Sequence, residues 1–222
     1  MAWLSSGPSN AALVNNLKSH GLIKSDRVAQ AMLGVDRAHY SPASPYEDSP
    51  QPIGHSATIS APHMHAAAAE SLLPFLHPTA RVLDIGSGSG YLTHVLANLV
   101  GPEGKVIGID HIQPLVDLAA ANMAKSESGT AMLASGKVAF VRGDGREGWT
   151  EGAPYDAIHV GAAAREEHAR LVEQLRCPGR LFIPVGEWSQ YIWVVDKGED
   201  GTVKREKAFG VRYVPLTDAP KR

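Results

Sequence analysis

Leu83 to Tyr91 reads LDIGSGSGY, with Asp84 set before three glycines, Gly86, Gly88 and Gly90. Glycine has no Cβ, so such a loop lets a ligand approach the backbone and permits a tight turn from strand into helix. Asp110 closes KVIGID twenty residues beyond Gly90. A carboxylate at that strand tip accepts from both hydroxyls of a ribose. Asp144, within RGDGREG and beside Gly145, is a third acid at a predicted strand end. It can accept from an adenine amino group, although Asp-Gly is also a turn dipeptide and Asp144 by itself reads as a plain turn.

Two cofactors fit this outline. A nicotinamide dinucleotide wants G-x-G-x-x-G/A, and the position of the last small residue is Tyr91 here. An acid just before the loop, Asp84, repels a pyrophosphate and suits an ammonium group. S-adenosylmethionine carries an ammonium and no phosphate, so the residues favour it over the dinucleotide.

A second polar group lies ahead of this unit, in ATISAPHMHAAAAE from Ala57 to Glu70. Ser60, close before Pro62, is well placed to cap a helix, and His63 and His65 then read as surface residues on its first turn. Their i,i+2 spacing puts them on different faces, which argues against a metal pair. No other His/Cys/Asp cluster has ligand spacing, so no metal is expected. If the chain ahead of the sheet lies over the strand tips, residues 57 to 65 have another use. They cover a sulfonium, exclude water and hold an acceptor.

The positioning elements alternate. Asn10 to His20 and Ser25 to Val35 read as amphipathic helices, with Asn10 and Ser25 as caps. Arg37 to Pro52 is too rich in proline for helix and reads as a wrapping loop. Pro62 opens a third helix to about Leu76. From Arg81 short apolar strands alternate with helices: RVLDIG, Tyr91–Leu99, KVIGID, Gln113–Lys125, KVAFVRGD, YDAIHVG, Glu166–Leu175 and GRLFIPVG. QYIWVVDK and TVKREKAFGVRYV follow, separated by Gly-Glu-Asp-Gly, a hairpin signal. The fold class is α/β, a doubly wound, mostly parallel, Rossmann-like sheet with an N-terminal helical extension and a C-terminal antiparallel hairpin. The three early helices are expected around the top of the sheet. Residues 1–78 form the extension and lid, and 79–222 the cofactor-binding core, within one compact domain.

Bulk properties exclude several classes. The net charge of -2 and the lack of a Lys/Arg cluster argue against nucleic acid. No apolar run is long enough to cross a bilayer, and the N-terminus has neither a signal-peptide core nor a myristoylation glycine. The single cysteine, Cys177, precedes Pro178-Gly179 and reads as a small buried filler in a turn. A monomer in the cytosol is the expectation.

The runs SPQPIG, ATISAPHMHA, LDIGSGSGYLT, VIGID, GDGR, YDAIHVGAA, GRLFIPVG and YVPLTD resemble the protein-L-isoaspartate (D-aspartate) O-methyltransferase family, from Trp3 to Asp218. ATISAPHMHA and YVPLTD are far more specific than the glycine loop, since general methyltransferases lack them. The resemblance implies the class I S-adenosylmethionine-dependent methyltransferase fold, that donor, and damaged proteins as substrates. The acceptor is the free α-carboxyl of an L-isoaspartyl residue, with D-aspartyl poorer. It implies Ser60 as the active-site serine, and Ala57, Thr58, Ile59 and His65 as the segment closing over cofactor and peptide. It further implies Ser89 in the glycine loop, Asp110 with His111 on the ribose side, Asp144 with Gly145 on the adenine side, and Thr217 reaching back to the site. Arg165 stands where many members have proline, and EWSQYI replaces a glycine-rich stretch.

Methyl transfer to a carboxylate needs no strong base, which suits the lack of a Ser-His-Asp arrangement. Ser60 is read as an orienter, not a nucleophile. An extended peptide is expected along residues 57–65, Ser60 and His65 included, and along the strand end at Tyr213, Val214, Leu216 and Thr217. A nucleic-acid methyltransferase would carry an Asn/Asp-Pro-Pro-aromatic run where HVGAAAR stands. A binding module that had lost catalysis would not need Ser60.

Overall fold

The structure, a computed structural model, describes residues 5–166 and 168–216. Its first helix, α1 (Asn10–Ser19), is capped not by Asn10 but by Ser9, whose hydroxyl accepts from the Ala12 N–H at 3.2 Å. The Asn10 amide instead donates to the Met32 and Leu33 carbonyls at 3.1 and 3.3 Å. It thereby ties α1 to the end of α2 (Asp26–Leu33), which Ser25 caps as expected. Leu13, Val14 and Leu17 face inward together at the i, i+4 spacing of one helical face.

The proline-rich stretch is not all loop. After a 3-10 turn at Arg37–His39, β1 (Gln51–Gly54) pairs antiparallel with β2 (Ala57–Ile59). His55 and Ser56 form the connecting turn with φ of 52° and 58°. Two left-handed residues in a row are what a tight hairpin turn needs, but His-Ser lacks the usual Asn-Gly signal. α3 (Pro62–Leu72) starts with Pro62 in the first turn and gives way to a 3-10 turn at Leu73–Phe75, earlier than Leu76, because Pro74 cannot continue an α-helix.

The core then runs β3 (Arg81–Ile85), α4 (Tyr91–Leu99), β4 (Lys105–Asp110), α5 (Gln113–Met123), α6 (Glu127–Ala134), β5 (Val138–Arg142), β6 (Tyr155–Val160), α7 (Ala169–Glu173), β7 (Leu175–Val185), β8 (Gln190–Lys197) and β9 (Val203–Val211). The seven-stranded order is β5-β4-β3-β6-β7-β8-β9. β5 through β7 are parallel, and β8 and β9 add antiparallel strands at one side. The chain winds outward from β3 to β5 and returns to place β6 beside β3, so a crevice opens at their carboxyl ends. α6 has no counterpart in the sequence reading. It is capped by Ser126 and buries only Gly129, so it has no apolar stripe to announce it. The helix expected at Glu166–Leu175 is shorter, and Leu175 already belongs to β7.

Alternation along β3 divides the core into two faces. Val82 joins Leu13, Leu17, Met32, Leu72, Val95 and Phe182 on one side. Leu83 and Ile85 join Ile109, Ile158, Leu171 and Leu181 on the other. The early helices therefore pack on the α4 side of the sheet rather than around its top; the β1–β2 hairpin is what reaches the strand ends. Cys177 lies within β7 and is exposed, against the expectation of a buried turn residue.

Candidate active site

Strand tips and glycines build the site floor. The Gly86 and Ser87 N–H groups donate to the Ile109 carbonyl at 2.8 and 3.1 Å. The Gly88 N–H donates to Asp110 Oδ2 at 3.2 Å, and the Ile112 N–H to Oδ1 at 3.1 Å. Asp110 thus braces the glycine loop while standing at the tip of β4. Gly90 has φ of 84°, and a Cβ there would come within 3.0 Å of Ala119 and 3.1 Å of Phe140. Only glycine fits both demands.

A cavity of about 280 Å³ opens above this floor. Gly86, Gly88, Asp110, His111 and Gly145 line it from the core. Ala57 and Thr58 line it from the hairpin, and Val214 and Leu216 from the C-terminal segment. A small recess continues past Thr58, Gly86 and Gly88, adding Ile59, Ser60, His65, Asp84, Ser89 and His159. The two spaces bring together nearly every residue expected from the sequence, drawn from segments far apart in the chain.

Asp144 is the departure. Gly145 lines the cavity, but Asp144 does not, and its carboxylate is gripped by the Arg146 guanidinium at 2.6–3.1 Å. The hydrogen bond from Arg146 holds the Asp144 carboxyl below the usual range. Asp144 also caps the following 3-10 turn, so the turn reading of Asp-Gly holds structurally. Asp84 is less bare than expected. It is 1% exposed, with Oδ2 accepting from Thr93 Oγ1 at 2.6 Å and Oδ1 paired with His159 Nδ1 at 2.8 Å. Any cation in the recess meets this three-residue unit, not a lone acid.

Ser60 does not cap α3. The N-cap is Ala61, with no side-chain cap bond. The Ser60 carbonyl accepts from Arg37 Nη2 at 2.7 Å, and Arg37 Nη1 lies 3.2 Å from His65 Nδ1. Arginine only donates, so His65 Nδ1 carries no proton there. His65 is buried, not on the surface; burial, then the Arg37 charge, push its pKa well below the ordinary 6.5. Arg37 is itself fully buried, lies 5.0 Å from the centroid of the Tyr91 ring and has its pKa lowered to about 10 by burial. Sequence reasoning missed Arg37, His159 and Thr93. The only signal for Arg37 is one Arg within VDRAHY, at the start of a stretch read as loop. His63 is tied to the buried Asp48 through both its N–H, at 2.9 Å, and its Nδ1, at 2.8 Å.

The C-terminal segment closes the site. Burial pushes the Tyr213 phenol pKa up, and the nearby Ser60 side chain offsets part of that shift. The Ala163 N–H donates to the Val214 carbonyl, and the Leu216 N–H to the Ala163 carbonyl, both at 2.8 Å. The Tyr213 N–H donates to Gln190 Oε1 at 2.5 Å. With Pro215 having no N–H, only the Val214 N–H of this segment remains among the described residues, so backbone pairing with a peptide is narrower here than expected. Thr217 lies outside the described residues. Among the described residues no group of three or more His, Cys, Asp or Glu side chains is placed to hold a metal, and no helix is long and apolar enough to cross a membrane.

Comparison with known proteins finds relatives across nearly the whole chain. The family model for protein-L-isoaspartate(D-aspartate) O-methyltransferase matches residues 8–221. A protein-L-isoaspartate O-methyltransferase of Triticum aestivum is 50% identical over 94% of this chain and 91% of its own length. One from Caenorhabditis elegans is 46% identical over 98% and 96%. A Plasmodium falciparum chain assigned to the same activity, crystallised with S-adenosyl-L-homocysteine, superposes with a TM-score of 0.88 at 33% identity, covering 95% of this chain and 99% of that one. On the match across nearly its full length, this chain belongs to the protein-L-isoaspartate (D-aspartate) O-methyltransferase family.

Proposed function

We propose that this chain moves a methyl group from S-adenosylmethionine to the free α-carboxyl of L-isoaspartyl residues, and less well of D-aspartyl residues, in damaged proteins and peptides. The ester so formed starts their return to normal aspartyl residues. One observation carries the choice of donor: the cavity and its recess contain acids and glycine backbone but, among the described residues, no Lys or Arg. A dinucleotide pyrophosphate would meet Asp84 and Asp110 with no cation to offset them, whereas an ammonium and a ribose suit both.

When bound, S-adenosylmethionine supplies an electrophilic methyl group on positive sulfur. Asp110 and His111 hold its ribose side. Gly145 and, less directly than expected, Asp144 serve the adenine side. Gly86, Gly88, Ser89 and the Asp84–His159–Thr93 unit serve the amino-acid end. Ala57 to Ser60 and His65 close over it, as the lid within the 1–78 extension of one domain with 79–222.

The acceptor carboxylate is ionised at neutral pH and needs no base. The chain's work is alignment and removal of water, and alignment alone supplies roughly 7–11 kcal/mol in favourable cases. Ser60 donates to one carboxylate oxygen and leaves the other free to attack. The buried Tyr213 phenol lies beside Ser60 and shields it from water. Arg37 fixes the Ser60 main chain from below. Recognition falls on the peptide main chain and on Tyr213, Val214 and Leu216, because a repair enzyme cannot depend on one flanking side chain. A monomer in the cytosol, acting on neither nucleic acid nor membrane, completes the reading.

The test pairs an isoaspartyl peptide with its aspartyl twin. Only the first should accept methyl. Ser60→Ala should lower kcat roughly 10²-fold, the scale for losing one aligned donor, with S-adenosylhomocysteine binding unchanged. Full activity in Ser60→Ala would remove Ser60 from the chemistry.

A further inference from the structure

Trp188 is 98% exposed. It stands on the loop joining β7 to β8, and that loop is held at its base. The Gly186 N–H donates to the Ala164 carbonyl at 2.9 Å, and Arg165 Nε pairs with Glu187 Oε1 at 2.7 Å. The indole is thus carried by an anchored turn. It borders a broad groove of about 1140 Å³ whose other wall is the segment from Gly210 to Leu216. This groove lies next to the cofactor cavity, with Pro215 and Leu216 forming a wall common to both. Tyr213, whose phenol lies beside Ser60, lines the groove as well.

We propose that Trp188 is a docking platform for the substrate polypeptide flanking the isoaspartyl residue, taking an apolar or aromatic side chain on its ring. This rests on the methyl-transfer reading above. The main-chain N–H groups of Tyr213 and Leu216 already have partners and Pro215 has no N–H, so strand pairing on that wall is narrowed to the Val214 N–H and needs support from elsewhere. Holding it falls to surfaces the groove offers. Tyr191 in the groove is covered, with Lys207 Nζ 3.4 Å from its ring centroid. The Trp188 ring is open, and a rigid aromatic with two torsions gains contact area at small entropic cost. A platform of this kind grades substrates without reading a sequence strictly.

Two isoaspartyl peptides test it, one with Leu or Phe on both flanks and one with Gly in those places, compared in wild type, Trp188→Ala and Trp188→Phe. For the apolar-flanked peptide, Trp188→Ala should raise KM about tenfold. Its kcat, its S-adenosylhomocysteine affinity and its KM for the Gly-flanked peptide should stay within about twofold. Trp188→Phe should restore most of the loss. An equal change with both peptides, or none with either, overturns the platform while leaving methyl transfer intact. A wild-type dimer lost in Trp188→Ala, with peptide kinetics unchanged, assigns the indole to a second copy and overturns it too. Failure of the wild type to methylate either peptide overturns the parent reading and this one together.

Discussion

Replacing Arg37 with Met separates the buried support of the site from its cofactor floor. The guanidinium is fully buried and donates to the Ser60 carbonyl at 2.7 Å and to His65 Nδ1 across 3.2 Å. Two hydrogen bonds from a charged donor are worth about 3–6 kcal/mol together, at roughly 1.5–3 kcal/mol each. The Tyr91 ring face adds about 0.5–2 kcal/mol. Against these stands the desolvation of a buried cation, several kcal/mol in effect, which Met does not suffer. What Met cannot recover is the pair of acceptors left without a donor, at about 1–3 kcal/mol each. The net expectation is a loss of about 2–4 kcal/mol. In a domain of this size each kcal/mol moves the melting midpoint by about 2–4 °C, so Arg37→Met should melt about 4–16 °C lower. Its kcat should fall at least about tenfold, since a shift of an ångström in an aligned group costs that and more. S-adenosylhomocysteine affinity, held by the glycine loop and Asp110, should change less than about threefold. Melting by circular dichroism, titration calorimetry and steady-state kinetics with an isoaspartyl peptide read the three effects. A variant melting within about 1 °C of wild type at full kcat refutes the reasoning. So does one that loses cofactor binding in step with kcat.

Gly90→Ala should cost about 1–3 kcal/mol by denaturant unfolding, from the left-handed backbone at φ 84° and a Cβ only 3.0 Å from Ala119. An unchanged unfolding midpoint would mean that the loop relaxes freely. Asp110→Ala removes both the ribose acceptor and the brace on Gly88 and should weaken S-adenosylhomocysteine about 10- to 100-fold in calorimetry; Asp144→Ala should weaken it less than about threefold. His94 has its pKa lowered to about 4, by burial first and then by His39 and Lys137. The unfolded chain takes up that proton near 6.5 and the native one not until about 4, so this contribution is full above 6.5. It is lost as pH falls toward 4, by up to about 1.4 kcal/mol per pH unit. His65, shifted the same way, adds to the slope. Melting points at pH 7.5 and 5 should therefore differ more in wild type than in His94→Gln, and equal differences would dismiss the mechanism.

Local chemistry was legible from the chain alone wherever a residue type was forced by its immediate neighbours. The G-x-G-x-G loop, Asp84 and Asp110 at strand ends and Pro62 opening α3 all follow from φ preferences, capping and strand alternation. The doubly wound sheet follows from alternating strands and helices. Other features depended on local angles without a residue signal, on a neighbouring side chain, or on partners distant in sequence. The hairpin of β1 and β2 was hidden because His55 and Ser56 take left-handed angles without the residues that usually signal them. The role of Asp144 changed because Arg146, two residues on, grips a carboxylate that the strand-end position offered to a ligand. Arg37 meets Ser60 and His65 across 23 and 28 residues, and His159 meets Asp84 across 75. No pattern within a short window encodes such pairings. They are set when two apolar faces pack and leave a few polar groups no water to bond, so that each must find its partner in the fold.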